Sequence, residues 1–418
     1  MRWRGRDCRQ SVDRADKSVN ARDESPIRVG IAGPVSLDLL DYPEGCPAGL
    51  PEGYPAPVIA HFVNALLRRG HEVVVFTTSR GLDVPMVFDQ GGLVICIAPR
   101  YRPRSALTFF GREREWLTLL MVEHPTDIVH AMWSYEFALA ALQSGRPTIV
   151  HYHDHAWTIL KHTRDAYRFL RWILSAYVTT RARHKVANSG YLKRAFGRSG
   201  RGMVVIPNFM PAFALPKFDD SAAHASRIVV VSNGFSGHKN VAKALEAFRV
   251  LKQRHPSAEM VLVGNEMGVD QAAAVYAREH GFGEGVSYRG ERPYAETVGI
   301  IRDSSVLLSP ALEESFGMTI LEAMAVGTAV VAGVDSGNVP ELLDGGNCGL
   351  LCDVTDVMSV VEALESALSA SEEMASIRQR AHERYERLYS ETAVMDGLEV
   401  IYRRVLSSEF SRMRRSSR

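Results

Sequence analysis

The segment that decides the fold is residues 308–332, which read LSPALEESFGMTILEAMAVGTAVVA. The apolar run that ends at Leu308 predicts a buried parallel strand, and the following Ser-Pro pair ends that strand. Residues 313–317 are expected to form a loop, and Met318 to Ala325 repeat apolar side chains at helical spacing. A glycine then ends the helix before another apolar run. The segment therefore predicts a strand–loop–helix–strand unit.

Two carboxylates with seven residues between them, Glu314 and Glu322, lie around this turn. We expect the first at the loop and the second inside the helix. Between them the backbone amides of Phe316, Gly317 and Met318 form a helix N-terminus, where unpaired N–H groups and the helix dipole attract phosphate. A carboxylate beside a reacting sugar, amides for a diphosphate and a carboxylate for a ribose diol together predict a nucleotide-sugar site.

This stretch resembles the Glu-x7-Glu motif of the retaining family-four glycosyltransferases, which have the GT-B fold. The resemblance extends from Ile27 to about Leu406, because further phrases follow in the family's order: LLRRGHEV at 66–73, VIPN at 205–208, MVLVG at 260–264 and NVPELLDGGNCGL at 338–350. It implies an α/β fold with two Rossmann-like, doubly wound domains that face each other across a cleft. It also implies a C-terminal helix that crosses back to the first domain.

Length and composition favour a globular protein of more than one domain. A chain of 418 residues is too long for one hydrophobic core, and its apolar fraction of 46% and charged fraction of 23% are those of ordinary soluble proteins. No apolar stretch approaches the ~18 residues of a membrane-spanning helix. Five cysteines without zinc-site spacing indicate reduced thiols in a cytoplasmic protein.

The strand and helix pattern divides the chain into four parts. Residues 1–25 are polar and arginine-rich and predict a disordered tail, residues 26–212 an acceptor-binding domain, and residues 221–388 a nucleotide-sugar-binding domain. Residues 389–418 predict the returning helix and a basic tail. Three prolines between residues 207 and 216 predict a semi-rigid hinge between the domains.

The net charge of +1 hides an asymmetry between the two halves. Residues 1–210 hold 28 lysines and arginines against 19 acids, and the remainder holds 21 against 29. The basic excess peaks between Lys161 and Arg201, where large apolar residues such as Phe169 and Trp172 also occur. This combination suits an anionic membrane surface or a lipid-phosphate acceptor, while a solvated basic helix over core aromatics explains it equally well. No nucleic-acid-binding motif accompanies the patch.

The resemblance also assigns residues to the nucleotide-sugar donor. It implies that Glu314 stabilises the positive charge that develops on the sugar and that Glu322 accepts hydrogen bonds from the ribose. Ser315 and the amides of Phe316, Gly317 and Met318 would bind the phosphates and the sugar. A large side chain such as Phe316 is equally expected in the core.

Three further donor contacts and one acceptor contact follow from the resemblance. Lys239 matches the family's phosphate-binding lysine, but Asn233 occupies the position of the partner arginine. Glu291 lies in the turn where the family holds the base. In the loop 37–57, Gly53 is the expected close-approach glycine for the acceptor, although the family's paired glycines are missing.

The residues 150–157, VHYHDHAW, place three histidines at a strand end. The family has a histidine–aspartate pair here, so His153 is implied to contact the donor sugar. Alternating histidines also suggest a metal site, provided that the strand is extended throughout. We expect no metal and no cofactor, because no Asp-x-Asp pair is present and a helix N-terminus with fixed cations can neutralise a diphosphate.

The leading interpretation is a cytoplasmic, metal-independent, retaining glycosyltransferase that moves a hexose-type sugar to a glycan, lipid-linked or small-molecule acceptor. It would contact the inner face of a membrane peripherally through the basic first domain. A nucleotide-sugar epimerase or hydrolase of the same fold is the alternative. A nicotinamide-dependent oxidoreductase is disfavoured, because the Gly-x-Gly-x-x-Gly pattern is incomplete after the first strand, around Gly30 and Gly33. A binding protein without catalytic activity is a further alternative, because Asn233 occupies the position of the family's arginine.

Overall fold

A computed structural model describes residues 25–54, 56–101, 103–211, 224–369 and 371–416. The predicted tail, except Ser25, and the second half of the predicted hinge, residues 212–216, lie outside these residues. Within them the chain forms two sheets of eight and six strands, each built mainly from parallel strands joined by helices. Among the described residues, no helix is both long and apolar enough to cross a bilayer.

The first sheet has the strand order β3-β4-β2-β1-β5-β6-β7-β8. All of its neighbouring strands pair in parallel except β3, which runs antiparallel along the edge. The strands are β1 (Arg28–Ala32), β2 (Glu72–Ser79), β3 (Met86–Asp89), β4 (Leu93–Pro99), β5 (Ile128–Ala131), β6 (Thr148–Tyr152), β7 (His184–Ala187) and β8 (Val204–Val205). The helices between them are α1 (Pro57–Arg68), α2 (Gly111–Glu123), α3 (Glu136–Gln143), α4 (Ala156–Thr163), α5 (Ala166–Arg181) and α6 (Gly190–Ala195).

Both faces of this sheet are buried, as the continuous apolar runs predict. Successive residues of a strand point to opposite faces. Accordingly Val73 and Val75 of β2 belong to one hydrophobic cluster, whereas Val74 and Phe76 belong to a second cluster on the other face. Helices therefore cover the sheet from both sides.

The second sheet has the strand order β11-β10-β9-β12-β13-β14, with parallel pairing throughout the described residues. Its strands are β9 (His224–Val231), β10 (Glu259–Val263), β11 (Val286–Gly290), β12 (Ser304–Ser309), β13 (Ala329–Gly333) and β14 (Leu350–Cys352). Its helices are α7 (Val241–Arg254), α8 (Ala272–His280), α9 (Tyr294–Arg302), α10 (Met318–Val326), α11 (Val339–Leu342), α12 (Val357–Leu368) and α13 (Glu372–Leu388).

The last helix, α14 (Glu391–Ser416), packs on the first sheet rather than the second, which confirms the predicted crossover. Its apolar stripe joins the cluster that contains strand β1; the stripe consists of Val394, Leu398, Ile401 and Val405. Arg69 makes ion pairs with Asp396 and Glu399 of this helix. The Tyr402 hydroxyl lies 2.8 Å from Nδ1 of His130 on strand β5. The two Rossmann-like sheets and the returning helix match the predicted architecture. The residue boundaries of the domains stay predictions.

Candidate active site

The segment that predicted the fold forms strand β12, a loop and helix α10, as expected. Gly317 precedes the helix with φ of +98°, a left-handed conformation that glycine adopts without strain. No side chain caps this end of the helix. The first amides of an α-helix have no partner within the helix, so this end presents N–H groups and the positive end of the dipole.

Glu314 lies in the loop before this helix, where one backbone hydrogen bond and one ion pair fix its position. Its carbonyl accepts a hydrogen bond from the Asn338 amide at 2.8 Å, and its side chain forms an ion pair with Lys239, whose Nζ is 2.9 Å from Oε1. The loop that carries Lys239 is fixed because Asn240 donates its side-chain amide to the carbonyls of Pro310 and Val354. The structure thus brings a cation and a carboxylate together beside the open helix end, and each side chain is about one-quarter exposed.

Glu322 lies on helix α10 and is only 5% exposed. Burial raises the pKa of its carboxyl from 4.5 to about 8, and the neighbouring Tyr294 hydroxyl opposes part of that rise. The Tyr294 ring lies 5.6 Å from the ring of His61 on helix α1 of the first domain. A buried carboxyl with so little compensation is costly to keep, which is typical of a group with a binding role.

The raised pKa of Glu322 has a testable effect on stability. Between pH 4.5 and about 8 the folded state keeps a proton that the unfolded chain releases. This stabilisation is complete below the unfolded pKa and is lost as pH rises through the folded pKa. We expect the melting temperature of the donor-free protein to fall across this range relative to Glu322→Gln, which does not titrate. Parallel curves for the two proteins would contradict the assignment of this pKa.

His153 follows strand β6 and faces the same loop from the first domain. Its carbonyl accepts a hydrogen bond from the Ser315 hydroxyl at 3.0 Å. Burial lowers the pKa of His153 to about 4, so the imidazole is neutral at pH 7. Its Nε2 is buried and has no hydrogen-bond partner among the described residues. A neutral imidazole with one free nitrogen can bind a sugar hydroxyl.

The side chains of His151, His153 and His155 do not meet at one position where a metal ion could bind. The His151 ring lies 4.3 Å from that of His153, and its Nδ1 is 3.2 Å from Nε2 of His130. His155 instead turns its Nδ1 to the Thr158 hydroxyl at 2.9 Å. Within the described part of the chain, no group of three or more histidines, cysteines and acids lies close enough to hold a metal ion.

Asp154, the second residue of the predicted histidine–aspartate pair, is hydrogen-bonded to two aromatic side chains of the first domain. Its carboxylate accepts hydrogen bonds from the Tyr135 hydroxyl at 2.7 Å and the Trp133 indole at 3.1 Å. These two bonds fix the turn that carries His153. The aspartate therefore helps to position the histidine.

Helix α6 of the first domain touches the loop of the second domain directly. Ser189, which caps this helix, donates its hydroxyl to the Ser315 carbonyl at 2.6 Å, and the Tyr191 hydroxyl donates to Glu313 at 2.8 Å. Arg194 pairs with Glu341 at 2.8 Å. These contacts, with His153, place the candidate site where the two domains meet.

The remaining predicted residues lie in different surroundings. The Phe316 side chain is 3% exposed and packs against Tyr389, so only its backbone is available to a ligand. Asn233, beyond the end of β9, and Glu291, beyond β11, are exposed. A Cβ on Gly53 would lie 2.6 Å from the Val35 carbonyl oxygen, so this glycine allows its loop to pack on the chain after β1.

Several residues of the site were not predicted from sequence. They are His61, Ser189, Tyr191 and Tyr294, and each makes a ring contact or a hydrogen bond with a residue far away in the chain. The hydroxyl that caps helix α6 was the only local signal, because a Ser-Gly pair before a helical run marks an N-cap.

Comparisons with known proteins follow the same division. Residues 56–212 match the family model described as Glycosyltransferase Family 4, and residues 217–384 match the model described as Glycosyl transferases group 1. The D-inositol 3-phosphate glycosyltransferase of Corynebacterium jeikeium is 36% identical over 129 residues, which are 29% of this chain and 30% of that protein. Glycogen synthase of Mycobacterium tuberculosis is 24% identical over 384 residues, covering 81% of this chain and 89% of that one.

Solved structures share the whole architecture. Sucrose-phosphate synthase from Thermosynechococcus elongatus has a TM-score of 0.73 at 17% identity, covering 91% of this chain and 100% of the other. HepE from Anabaena, solved with UDP and glucose, has a TM-score of 0.66 at 16% identity with the same coverage. The fold is therefore GT-B.

The two family models together cover most of the chain, and the chain belongs to the family-four type of GT-B glycosyltransferases. The alignments with the D-inositol 3-phosphate glycosyltransferases of C. jeikeium and C. aurimucosum span only 30% and 40% of those proteins.

Proposed function

We propose that this protein transfers a hexose-type sugar, with retention of configuration, from a nucleoside-diphosphate sugar to an acceptor. The acceptor is a glycan, a lipid-linked sugar or a small molecule, and no metal is required. The protein works in the cytoplasm, with peripheral contact at the inner membrane face. A uridine diphosphate sugar is the first donor to test, because HepE, of the same fold, has been solved with UDP-glucose. The comparisons give no support to the alternative of an epimerase or hydrolase.

One observation carries the proposal: the Lys239–Glu314 pair lies beside the uncapped N-terminus of helix α10, and His153 borders the same loop. The helix amides and the lysine supply positive charge for a diphosphate. The glutamate supplies negative charge for a sugar that becomes cationic. The two charged groups contact each other, and hydrogen bonds fix the loops that carry them before any ligand arrives, which lowers the cost of reorganisation during reaction.

In the proposed reaction the bond between the anomeric carbon and the phosphate oxygen breaks while the acceptor oxygen bonds to the same face of that carbon. The acceptor proton passes to the departing phosphate oxygen. Lys239 and the α10 amides stabilise the diphosphate, and Glu314 stabilises the oxocarbenium-like sugar. His153 orients the sugar through a hydroxyl group, and Glu322 holds the ribose.

The test begins with thermal shifts against UDP-, GDP- and ADP-sugars, because a ligand that binds only the folded state raises its melting temperature. The donor that stabilises the protein is then incubated with acceptor sugars, and the anomeric configuration of the product is read by NMR. We expect a glycoside with the donor's configuration. An inverted product, or an isomerised donor without transfer, would overturn the proposal.

Metal independence makes a separate prediction. Transfer by the wild-type enzyme should be unchanged by EDTA or by added Mg²⁺. In Lys239→Ala, which lacks the fixed cation, the rate should fall and Mg²⁺ should restore part of it by neutralising the diphosphate. Loss of wild-type activity in EDTA, with recovery in Mg²⁺, would show that a metal ion performs this task.

A further inference from the structure

Helices α4 and α5 follow directly after the turn that carries His153 and pack against each other, and they leave large aromatic side chains on the surface. Trp157 is 41% exposed, Tyr167 39% and Phe169 46%. Trp157 and Phe169 border one shallow cavity of about 480 Å³ together with Lys161 and Arg164. We call the surface formed by Trp157, Lys161, Arg164, Tyr167, Arg168 and Phe169 the hairpin face.

Two of the three aromatic side chains of the hairpin face pack on the ring of Trp172. The half-buried ring of Trp172 lies 5.2 Å from the Trp157 ring and 5.7 Å from the Phe169 ring. The two exposed rings and the Trp172 ring therefore form one aromatic cluster. Contiguous exposed apolar surface of this kind marks an interaction site.

Among the described residues the cations of the hairpin face have no acidic partner, whereas three other cations of the basic segment are paired with acids. Arg171 is buried in an ion pair with Glu136, Arg183 pairs with Glu409, and Arg194 pairs with Glu341. Among the described residues, no ion pair involves Lys161, Arg164 or Arg168. The basic segment that the sequence predicts as one patch is thus divided: some of its cations are paired with acids, and three that have no ion pair lie around the aromatic rings.

We propose that the hairpin face docks on an anionic lipid bilayer. Aromatic rings at the headgroup level with lysine and arginine beside them are the chemistry of an interfacial anchor, in which apolar burial and charge attraction add. One acid, Asp165, adjoins the face and caps helix α5 by accepting a hydrogen bond from the Arg168 backbone amide at 2.7 Å. The three cations of the face outnumber this carboxylate, so the net charge that faces the lipid is positive.

The place of the hairpin face in the fold supports a lipid-borne acceptor. Helix α4 begins at Ala156, two residues after Asp154, so the docked surface adjoins the side of the cleft that His153 borders. An acceptor held in the membrane would reach the cleft from this side. This inference rests on the proposed function, which includes peripheral membrane contact, and it names the surface that makes the contact; docking itself is measured without donor or acceptor.

The test is flotation of the full chain with vesicles of phosphatidylcholine, alone or mixed with phosphatidylglycerol. We expect binding to the mixed vesicles only, with loss at high salt. Lys161→Gln with Arg164→Gln should weaken partitioning about thirtyfold, since each basic side chain near an anionic surface strengthens membrane binding about fivefold. Trp157→Ala with Phe169→Ala should weaken it about tenfold or more.

Two control pairs match these changes elsewhere. Leu119→Ala with Val122→Ala removes exposed apolar groups from helix α2, and Arg249→Gln with Arg278→Gln removes exposed cations from the second domain. Both should bind vesicles like the wild type. The proposal would be overturned if all variants bound equally or if the protein bound no vesicles. It would also be overturned if the protein bound neutral and anionic vesicles equally well. So would sedimentation showing that the hairpin face joins two copies of the chain. Donor thermal shifts, measured in parallel, report separately on the proposed function.

Discussion

Replacing Glu314 with glutamine is expected to lower kcat about 100- to 1,000-fold, the range seen when one preorganised electrostatic group is removed from an active site. Glutamine keeps the size of the side chain but loses the negative charge that stabilises a cationic sugar. The substitution also releases Lys239, whose Nζ lies 2.9 Å from the carboxylate. Donor binding should therefore stay the same or tighten slightly. Initial rates give kcat, and calorimetric titration gives the donor Kd.

The matched control is the adjacent acid. Glu313 accepts a hydrogen bond from Tyr191 of the first domain at 2.8 Å, and glutamine keeps an acceptor oxygen there. We expect Glu313→Gln to retain most of the activity. Equal losses in the two variants, or a loss in donor affinity without a change in kcat for Glu314→Gln, would contradict the role given to Glu314.

Replacing Glu322 with alanine is expected to weaken donor binding about tenfold to a hundredfold, because hydrogen bonds to a charged acceptor each contribute ~1.5–3 kcal/mol. The carboxyl must ionise to accept both ribose hydroxyls, and burial raises its pKa to about 8. Donor affinity of the wild type should thus rise as pH passes through that value, whereas affinity of the variant should not. Calorimetric titration on both sides of pH 8 measures this difference.

Two controls separate binding from folding in this experiment. Glu322→Gln keeps the volume of a side chain that is 5% exposed and avoids a cavity. Its melting temperature shows whether the fold is intact. An unchanged donor Kd in a folded Glu322→Ala variant would remove the glutamate from the nucleotide site.

Much of the second domain is predictable because its pattern is local. The strand that ends near Leu308 and the helix that begins at Met318 are found where the apolar periodicity places them. Helices α12 and α13 also lie where apolar residues recur at helical spacing, and α14 packs on the first domain, as the resemblance implies. Periodicity over several turns determines these elements, so no distant contact is needed to identify them.

Other features depend on contacts that no local pattern encodes. Strand β3 is short and half-exposed, and it forms because strand β4 offers an edge. The ion pair between Lys239 and Glu314 joins residues 75 positions apart, and the charges of the basic segment are divided by partners such as Glu136 and Glu409. The roles of Asn233, Glu291 and Gly53 stay predictions, because they depend on a bound donor or acceptor.

A crystal structure of this protein with an unreactive donor analogue would locate the donor directly. We expect the diphosphate at the amides that begin helix α10, within reach of Lys239. We expect the ribose on Glu322 and the sugar between Glu314 and His153. A diphosphate found at the first sheet, for example near Gly33, with the α10 end untouched, would contradict this arrangement.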